Sequence, residues 1–513
     1  MGKYFNTAGL CFPDEHYMVD PLSRLRKVEN LIARKRYFTI HAPRQTGKTT
    51  YLHAVSRKLN TEGKYISLAV SFERAGYNSI SVDEANRKII HNIYSASVEQ
   101  LAKKYWPENP KGRKYLDLKE YLQTWARAQS DPIVLFIDEI DSLMNDVLIS
   151  VLRQLRDGYQ SRPGHFPSSV ALVGLRDVRD YKVESRNGIK PLGTASPFNV
   201  KSDSLLISNF TKEEVFQLLD QHTTETGQVF PGEVKEEIFS LTQGQPWLTN
   251  ALAYQIVSEI LEDDYSKTIT VDILNEARKQ LVLRRDTHLD SLVDRLKEEW
   301  VKQIVQAIIN GDSLHFDILD DHISYVRDLG IVSQTSPLEF ANPIYAEIIP
   351  GVMASPIQES IPKEVQTSRF VDRDGNLDME KVLKEFQVFY RRNSGMWLDR
   401  YEYKESAHHL LLMSYLQRLV NAGGEINHEM ALGNKRIDMR VKYGNQEFAL
   451  ELKIKRGNYT IEEGKQQLND YLDIIGLKEG YLVIFDPADI EWENKIYWKK
   501  TVYKNKTIIM VGL

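Results

Sequence analysis

Two sets of residues in this 513-residue chain have the types and spacing to do chemistry. The first is the run His41-Ala42-Pro43-Arg44-Gln45-Thr46-Gly47-Lys48-Thr49-Thr50, which follows a short apolar run at 37–40 and precedes helical text. A loop of this kind points backbone N–H groups at phosphate oxygens, helped by the positive end of the helix behind it. That makes Ala42 to Thr50 the candidate phosphate cradle. Gly47 lets the backbone approach closely, Lys48 reaches the β- and γ-phosphates, and the Thr49 hydroxyl ligates Mg²⁺. About 90 residues later, the apolar run 133–137 ends in Asp138-Glu139-Ile140-Asp141. A carboxylate at the end of a buried strand can share the metal, so Asp138 joins Thr49 as a Mg²⁺ ligand, while Glu139 polarises the attacking water. Two such motifs, in this order and at strand ends, predict a site for ATP or GTP.

The second set lies near the C-terminus. Asp438 stands between Ile437 and Met439, and Glu451 and Lys453 are two apart in the next strand-like run, so their side chains share a face. Thirteen residues separate Asp438 from Glu451, room for a strand end, a turn at Gly444-Asn445 and a returning strand. The two carboxylates can therefore meet and form an oxygen-rich site for Mg²⁺. Lys453 beside them orients a water and offsets phosphate charge, the equipment for metal-assisted phosphodiester hydrolysis. Gln467 and Tyr471 are four apart in the following helical text, hence on one helix face.

The elements that must hold these groups alternate over residues 1–205. Strand-like runs at 37–40, 64–70, 133–137 and 170–175 are separated by helical text, which predicts a parallel sheet with helices on both faces. Residues 206–285 read as a helical lid. Residues 286–352 carry helices followed by a short hairpin, the order of a winged helix. Residues 353–377, with Pro356 and Pro362 and many polar side chains, read as a linker. Residues 378–513 read as a last domain with helices to about residue 420, strands over 424–455, a helix at 459–475 and a strand at 480–485. The expected fold is thus a multidomain α/β chain: a P-loop parallel sheet with lid, a winged helix, and a mixed-sheet α/β domain.

Composition narrows the classes. Hydrophobic residues make up 42% and charged residues 27%, which excludes a fibrous or disordered chain. No run of eighteen apolar residues or secretory leader is seen, and one cysteine, Cys11, cannot make an internal disulfide, so a cytoplasmic protein with no membrane partner is expected. The net charge of −5 gives no global nucleic-acid footprint. Local clusters must supply it. From Lys363 onward the balance is +1, against −6 before it, and Lys453, Lys455 and Arg456 stand beside the candidate site. Lys499, Lys500, Lys504 and Lys506 read as a basic tail end.

The first set resembles the AAA-like and signalling (STAND-type) P-loop ATPases, from about Phe5 to Pro350. Ala42 departs from the pattern, standing where its first glycine would be. The resemblance implies ATP as the nucleotide. It also implies a polar sensor role for Arg176 and, in Gly244-Gln245-Pro246, a lid motif whose Pro246 lies near the adenine. Residues 17–21 match a nucleotide-covering lead-in, and 327–331 with 341–345 match a winged-helix end. The second set resembles the PD-(D/E)xK nuclease superfamily over about 380–486. In its RecB-like members, residues at the positions of Gln467 and Tyr471 line the active site. Glu429 or Glu405 would be an additional acidic residue there. Together the resemblances imply an ATP-regulated, Mg²⁺-dependent nuclease acting on nucleic acid, DNA more than RNA. By analogy with switch ATPases fused to toxic effectors, an anti-phage role follows, with homo-oligomers and a sensor or defence-system partner expected. The alternative is an ATP-switched DNA-binding regulator in which the nuclease fold only grips DNA. Arg153 and Arg156 are candidate arginines for a neighbouring subunit's ATP site.

Overall fold

A computed structural model describes residues 2–75, 81–112, 115, 117–143, 145–176, 182–185, 188–191, 201–283, 292–309, 320–360, 369–400, 407–420, 424–428, 439–455, 457, 459–488 and 490–513. The chain divides into two compact units, Met1–Leu281 with Arg327–Gly330, and Val282–Val326 with Ile331–Leu513.

In the first unit, α1 (Lys27–Ala33) leads into β1 (Tyr37–His41), and α2 (Lys48–Glu62) follows the phosphate loop. Then come β2 (Ile66–Ser71), α3 (Val82–Gln100), α4 (Leu118–Arg127), β3 (Ile133–Asp138), α5 (Asn145–Gly158) and β4 (Ser169–Gly174). A hairpin of β5 (Lys182–Ser185) and β6 (Gly188–Pro191) precedes β7 (Lys201–Leu206). Among the described residues the main sheet has five strands in the order β2-β3-β4-β1-β7, every pair parallel. Strands β3 and β4 are buried along their whole length, as a sheet covered on both faces requires. One face packs Phe38, Ile40, Phe136 and Val173 against Leu31 of α1 and Leu52 and Val55 of α2. The other packs Leu68, Leu135 and Leu172 against Ile89 of α3, Trp125 of α4 and Leu152 of α5. Strand β7 is polar in sequence, so alternation of apolar runs does not reveal it.

The remaining elements of this unit are α6 (Lys212–Thr226), α7 (Gly232–Thr242), α8 (Pro246–Tyr254) and α9 (Val271–Leu283), whose C-terminal end passes the unit boundary. Helix α6 starts on a full capping box, with Thr211 and Glu214 each satisfying the other's backbone N–H.

The second unit contains α10 (Glu299–Ile309) and most of α11 (Asp321–Asp328), then an antiparallel bridge, Val332 to Phe340. Residues 353–360, expected within the linker, are helical instead. Helix α12 (Pro343–Ser360) runs through Pro350 and Pro356 and packs on a helix of the C-terminal sheet. Each proline costs that helix one backbone hydrogen bond. Burial of Ile344, Ile348, Ile349 and Met353 offsets the loss. Residues 286–326 and 331–352 fall in the second unit together with 378–513, while Arg327–Gly330 fall in the first.

The C-terminal part has α13 (Met379–Arg400), α14 (Ala407–Val420), β8 (Gly424–His428), β9 (Met439–Tyr443), β10 (Gln446–Ile454), α15 (Tyr459–Ile475), β11 (Glu479–Phe485), β12 (Tyr497–Tyr503) and β13 (Lys506–Gly512). Among the described residues its mixed sheet has the order β12-β13-β11-β10-β9-β8, with β10–β11 and β11–β13 parallel and the other pairs antiparallel. The basic tail end is therefore a hairpin: Lys499 and Lys500 lie on β12, Lys504 is in its turn, and Lys506 on β13 pairs with Asp473 at 3.0 Å. The apolar run 508–511 drives this, since it is buried against β11. No described helix is long and apolar enough to cross a membrane.

Candidate functional site

The phosphate loop is set by what flanks it. Strand β1 is buried and its end is pinned on both sides, with Ala42 N donating to Gly174 O and Ile207 N to His41 O. The chain then reverses through two left-handed residues, Gln45 and Gly47, the latter at φ 85° where glycine carries no steric penalty. Thr46 Oγ1 donates to Pro43 O across the turn. Ala42 is not a left-handed residue, and its methyl is fully buried in the core beside Ile40 and Val173. The alanine therefore serves packing without straining the loop. Lys48 opens α2 and folds its ammonium back to donate to Ala42 O and Pro43 O, both at 2.7 Å. Desolvation lowers its pKa to about 8, against the pull of Asp138 and Asp141.

The acidic pair meets this loop directly. Thr49 Oγ1 donates to Asp138 Oδ2 at 2.7 Å, joining the two expected metal ligands across 89 residues of chain. Asp138 is buried, and desolvation raises its pKa above the usual carboxylate value while the Thr49 bond opposes the rise. Glu139 takes a left-handed backbone, φ 54°, directly after the strand, and its N–H donates to Asp138 Oδ1. Its Oε2 accepts from Ser71 Oγ at 2.5 Å, a contact made possible by the Ser71–Asp138 register of β2 and β3. Glu139 is also raised, first by desolvation. The Thr49 hydroxyl and the Asp138 carboxylate, already in contact, are the oxygen donors here that fit a divalent cation.

A pocket partly open to solvent lies against Gln45, Gly47 and Thr50. Pro246, Trp247 and Asn250 of α8 form another wall, and Tyr17, Met18, Val19 and Pro21 a third. The residues expected from the lid and lead-in thus share one pocket with the phosphate loop. Sequence reasoning missed the rest of this wall. Residues 6–9 and Cys11 line it, held by Trp247 Nε1 to Thr7 O at 2.8 Å and Cys11 N to Thr50 Oγ1 at 3.3 Å. Arg24 lines it too, donating to Thr46 O at 2.8 Å and to Ser208 O. Burial lowers its pKa to about 10. No local signal marks Arg24, because its partners come from sequence-distant segments. Arg176, just past β4, is buried and paired with Asp328 at 3.3 Å. Arg153 and Arg156 are exposed on α5, beside a groove that also contains Lys119 and Asp157.

In the C-terminal sheet, Glu451 and Lys453 sit on β10 with Lys453 Nζ 3.2 Å from Glu451 Oε1, and Glu451 is buried. Ala449 on the same face packs against Leu468, Tyr471 and Leu472 of α15. A Cβ on Gly464 of α15 would lie 3.2 Å from Lys453 Cγ and 2.7 Å from Leu482 Cδ1, so glycine lets the helix settle onto the lysine stem. Tyr471 is fully buried in this apolar layer, and its hydroxyl and Gln467 Oε1 have no hydrogen-bond partner among the described residues. The β9–β10 ladder runs to Leu450–Met439, one residue short of Glu451. Asp438 lies outside the described residues, as do Glu429, Glu405 and Arg456. Lys455, two residues beyond Lys453, is paired with Asp486 at 2.6 Å. Among the described residues no three His, Cys, Asp or Glu side chains converge as a metal site.

A model of an AAA-like domain matches residues 15–336, and a domain of unknown function matches 380–489. No curated protein matches the chain. Among solved structures, the chain is similar to a Walker-type ATPase of Pyrococcus abyssi at 14% identity, covering 67% of this chain and 99% of that one with a TM-score of 0.47. It is similar to the ORC2 protein of Aeropyrum pernix at 14% identity, covering 66% and 92%, TM-score 0.39. A RuvB variant of Thermotoga maritima also matches at 14%, covering 66% and 95%, TM-score 0.35. Because the AAA-like match takes in more than half of the sequence, from the lead-in to the segment after Gly330, the chain belongs to the family of proteins with an AAA-like P-loop ATPase domain.

Proposed function

We propose that the protein is an ATP-regulated, Mg²⁺-dependent nuclease, with the AAA-like unit as the switch and the C-terminal sheet as the effector. The observation that carries the ATPase half is the 2.7 Å contact between Thr49 and Asp138. In this reading Lys48 exchanges its two carbonyl partners for the β- and γ-phosphates, a charge-assisted gain over neutral acceptors. Thr49 and Asp138 would hold Mg²⁺, which would supply charge neutralisation on the phosphates. Glu139, with its pKa raised by burial, accepts a proton from the attacking water and is held in place by Ser71. Arg176, at the C-terminal edge of the sheet, supplies positive charge near the γ-phosphate, and its partner Asp328 competes for it.

The effector half rests on a buried acid and a lysine two apart on β10, covered by a helix that carries Gln467 and Tyr471. Glu451 and Asp438 would hold the second Mg²⁺, and Lys453 would position water and the scissile phosphate. The proposed substrate is nucleic acid, DNA before RNA, and the proposed role is in defence, with a sensor partner and homo-oligomers. In the competing reading the C-terminal sheet grips DNA without cutting it. Incubating plasmid and single-stranded DNA with the protein and Mg²⁺, with and without ATP, separates the two. Cleavage that disappears in Glu451→Ala supports the nuclease; binding without cleavage under every condition refutes it.

A further inference from the structure

We propose that Arg24 is a positioning residue for the phosphate loop: by holding the Thr46 carbonyl outward it turns the Gly47 N–H into the cradle, so that the site favours ligands carrying a β-phosphate. The inference rests on the nucleotide-site reading given above and deepens it to how that site recognises polyphosphate. Arg24 follows a short 3-10 turn, Pro21–Ser23, whose start is capped by the Asp20 side chain accepting from Leu22 N at 3.0 Å. The next residue is tied to α2, since Tyr51 Oη donates to Leu25 O at 3.2 Å. The lead-in backbone thus fixes where the arginine starts. Its far end is fixed by Phe210, whose ring centroid lies 5.0 Å from Cζ, and Phe210 N in turn donates to Gly244 O of the lid motif.

The guanidinium reaches two carbonyls at once, Thr46 O at 2.8 Å and Ser208 O. A planar fork can span two acceptors in this way, whereas an ammonium is a single point. Among the described residues no ion pair neutralises it, and Glu214, the acid whose charge acts on it, is bound in the capping box of α6. The consequence falls on the next peptide. The Thr46–Gly47 bond is trans, and in a planar trans peptide the C=O and N–H point opposite ways. Arg24 approaches from the lead-in, outside the loop, so with the carbonyl bound there the Gly47 N–H faces the loop's interior. That N–H has no acceptor among the described residues, and Gly47 is part-exposed and lines the solvent-open pocket. Glycine admits positive and negative φ about equally, so without an outside hold this peptide can turn over and present its carbonyl to the phosphates. The hold is direct: Arg24 Nη1 would lie 3.4 Å from a Cβ on Gly47. The guanidinium charge adds to the attraction for a polyanion at the same place.

The test is calorimetry on the full chain with Mg²⁺, using ATP and ADP directly and adenosine by displacement of ADP. Arg24→Met keeps a stem against Phe210 but loses the donors and the charge. It is expected to bind ATP and ADP about tenfold or more weakly than wild type, with adenosine, which has no phosphate for the loop, within about twofold. Arg24→Lys keeps the charge without the fork and should recover at most part of that loss. An equal loss for adenosine would mean a damaged pocket wall and would overturn the inference. Unchanged ATP and ADP affinity in Arg24→Met, or full recovery in Arg24→Lys, would overturn it too, and in each of these cases the nucleotide site stands. Failure of wild type to bind ATP or ADP overturns the nucleotide site itself. If methionine impairs folding, the same three-ligand comparison between wild type and Arg24→Lys decides, with a loss of about threefold or more confined to ATP and ADP expected.

Discussion

Lys48 gives the sharpest quantitative expectation. Its ammonium sits between two loop carbonyls, and burial holds its pKa at about 8 against the usual 10.5. That difference corresponds to at most about 3 kcal/mol. A phosphate pair would restore a normal, charged lysine, so binding a triphosphate above pH 8 must take up a proton. With the free protein titrating near 8, the charged fraction falls from roughly nine-tenths at pH 7 to roughly one-tenth at pH 9. ATP affinity should therefore drop about tenfold over that interval, with no comparable change between pH 7 and 7.5. For the nucleotide-free fold the sign is opposite: the unfolded chain keeps the proton longer, so stability rises between pH 8 and 10.5. Calorimetry in two buffers of different ionisation enthalpy counts the proton directly. Lys48→Ala should weaken ATP by a hundredfold or more, on the order of a lost charge-assisted pair, and abolish the uptake. Flat affinity across pH 7–9 with zero proton uptake would refute the argument, and an unchanged affinity in Lys48→Ala would remove the lysine from the site.

Glu139→Gln should retain ATP but slow phosphate release by about 10²-fold or more, because an amide cannot take the proton that the raised carboxylate accepts; a normal rate would move the role to another carboxylate such as Asp141. Asp438→Ala, Glu451→Ala and Lys453→Ala should each abolish DNA cleavage with ATP hydrolysis largely intact, measured in parallel on linear, circular and single-stranded substrates. If the triple variant cuts like wild type, the effector assignment is wrong. Gly244→Ala should destabilise the first unit by about 2 kcal/mol or more, since the new Cβ would fall 2.0 Å from Phe210 O at a left-handed φ of 69°. A thermal melt within about 1 °C of wild type would contradict this.

Much of the first unit is readable from the sequence because its information is local. Buried parallel strands are continuous apolar runs, and a Gly-Lys-Thr loop or an Asp-Glu strand end is written in consecutive residues. Strands β1 to β4 and helix α2 follow from that text. Strand β7, Lys-Ser-Asp-Ser-Leu-Leu, does not: it is polar, and it becomes a strand because β1 offers an open parallel edge. The hairpin β12–β13 is hard to read for a related reason, since β12 is polar and lysine-bearing and becomes a strand by pairing with β13, whose run 508–511 is buried. Prolines in α12 misled in the other direction, because helix breaking is a local cost and packing of Ile344, Ile348 and Ile349 is a tertiary gain. For the site, residue types named Thr49, Asp138, Glu139 and Lys48. Only the fold brought Ser71 to Glu139, Arg24 to Thr46, Asp328 to Arg176 and Asn250 to the pocket wall. Each of those pairings joins segments distant in sequence, and a contact made by chain closure leaves no periodicity or spacing for the sequence to carry.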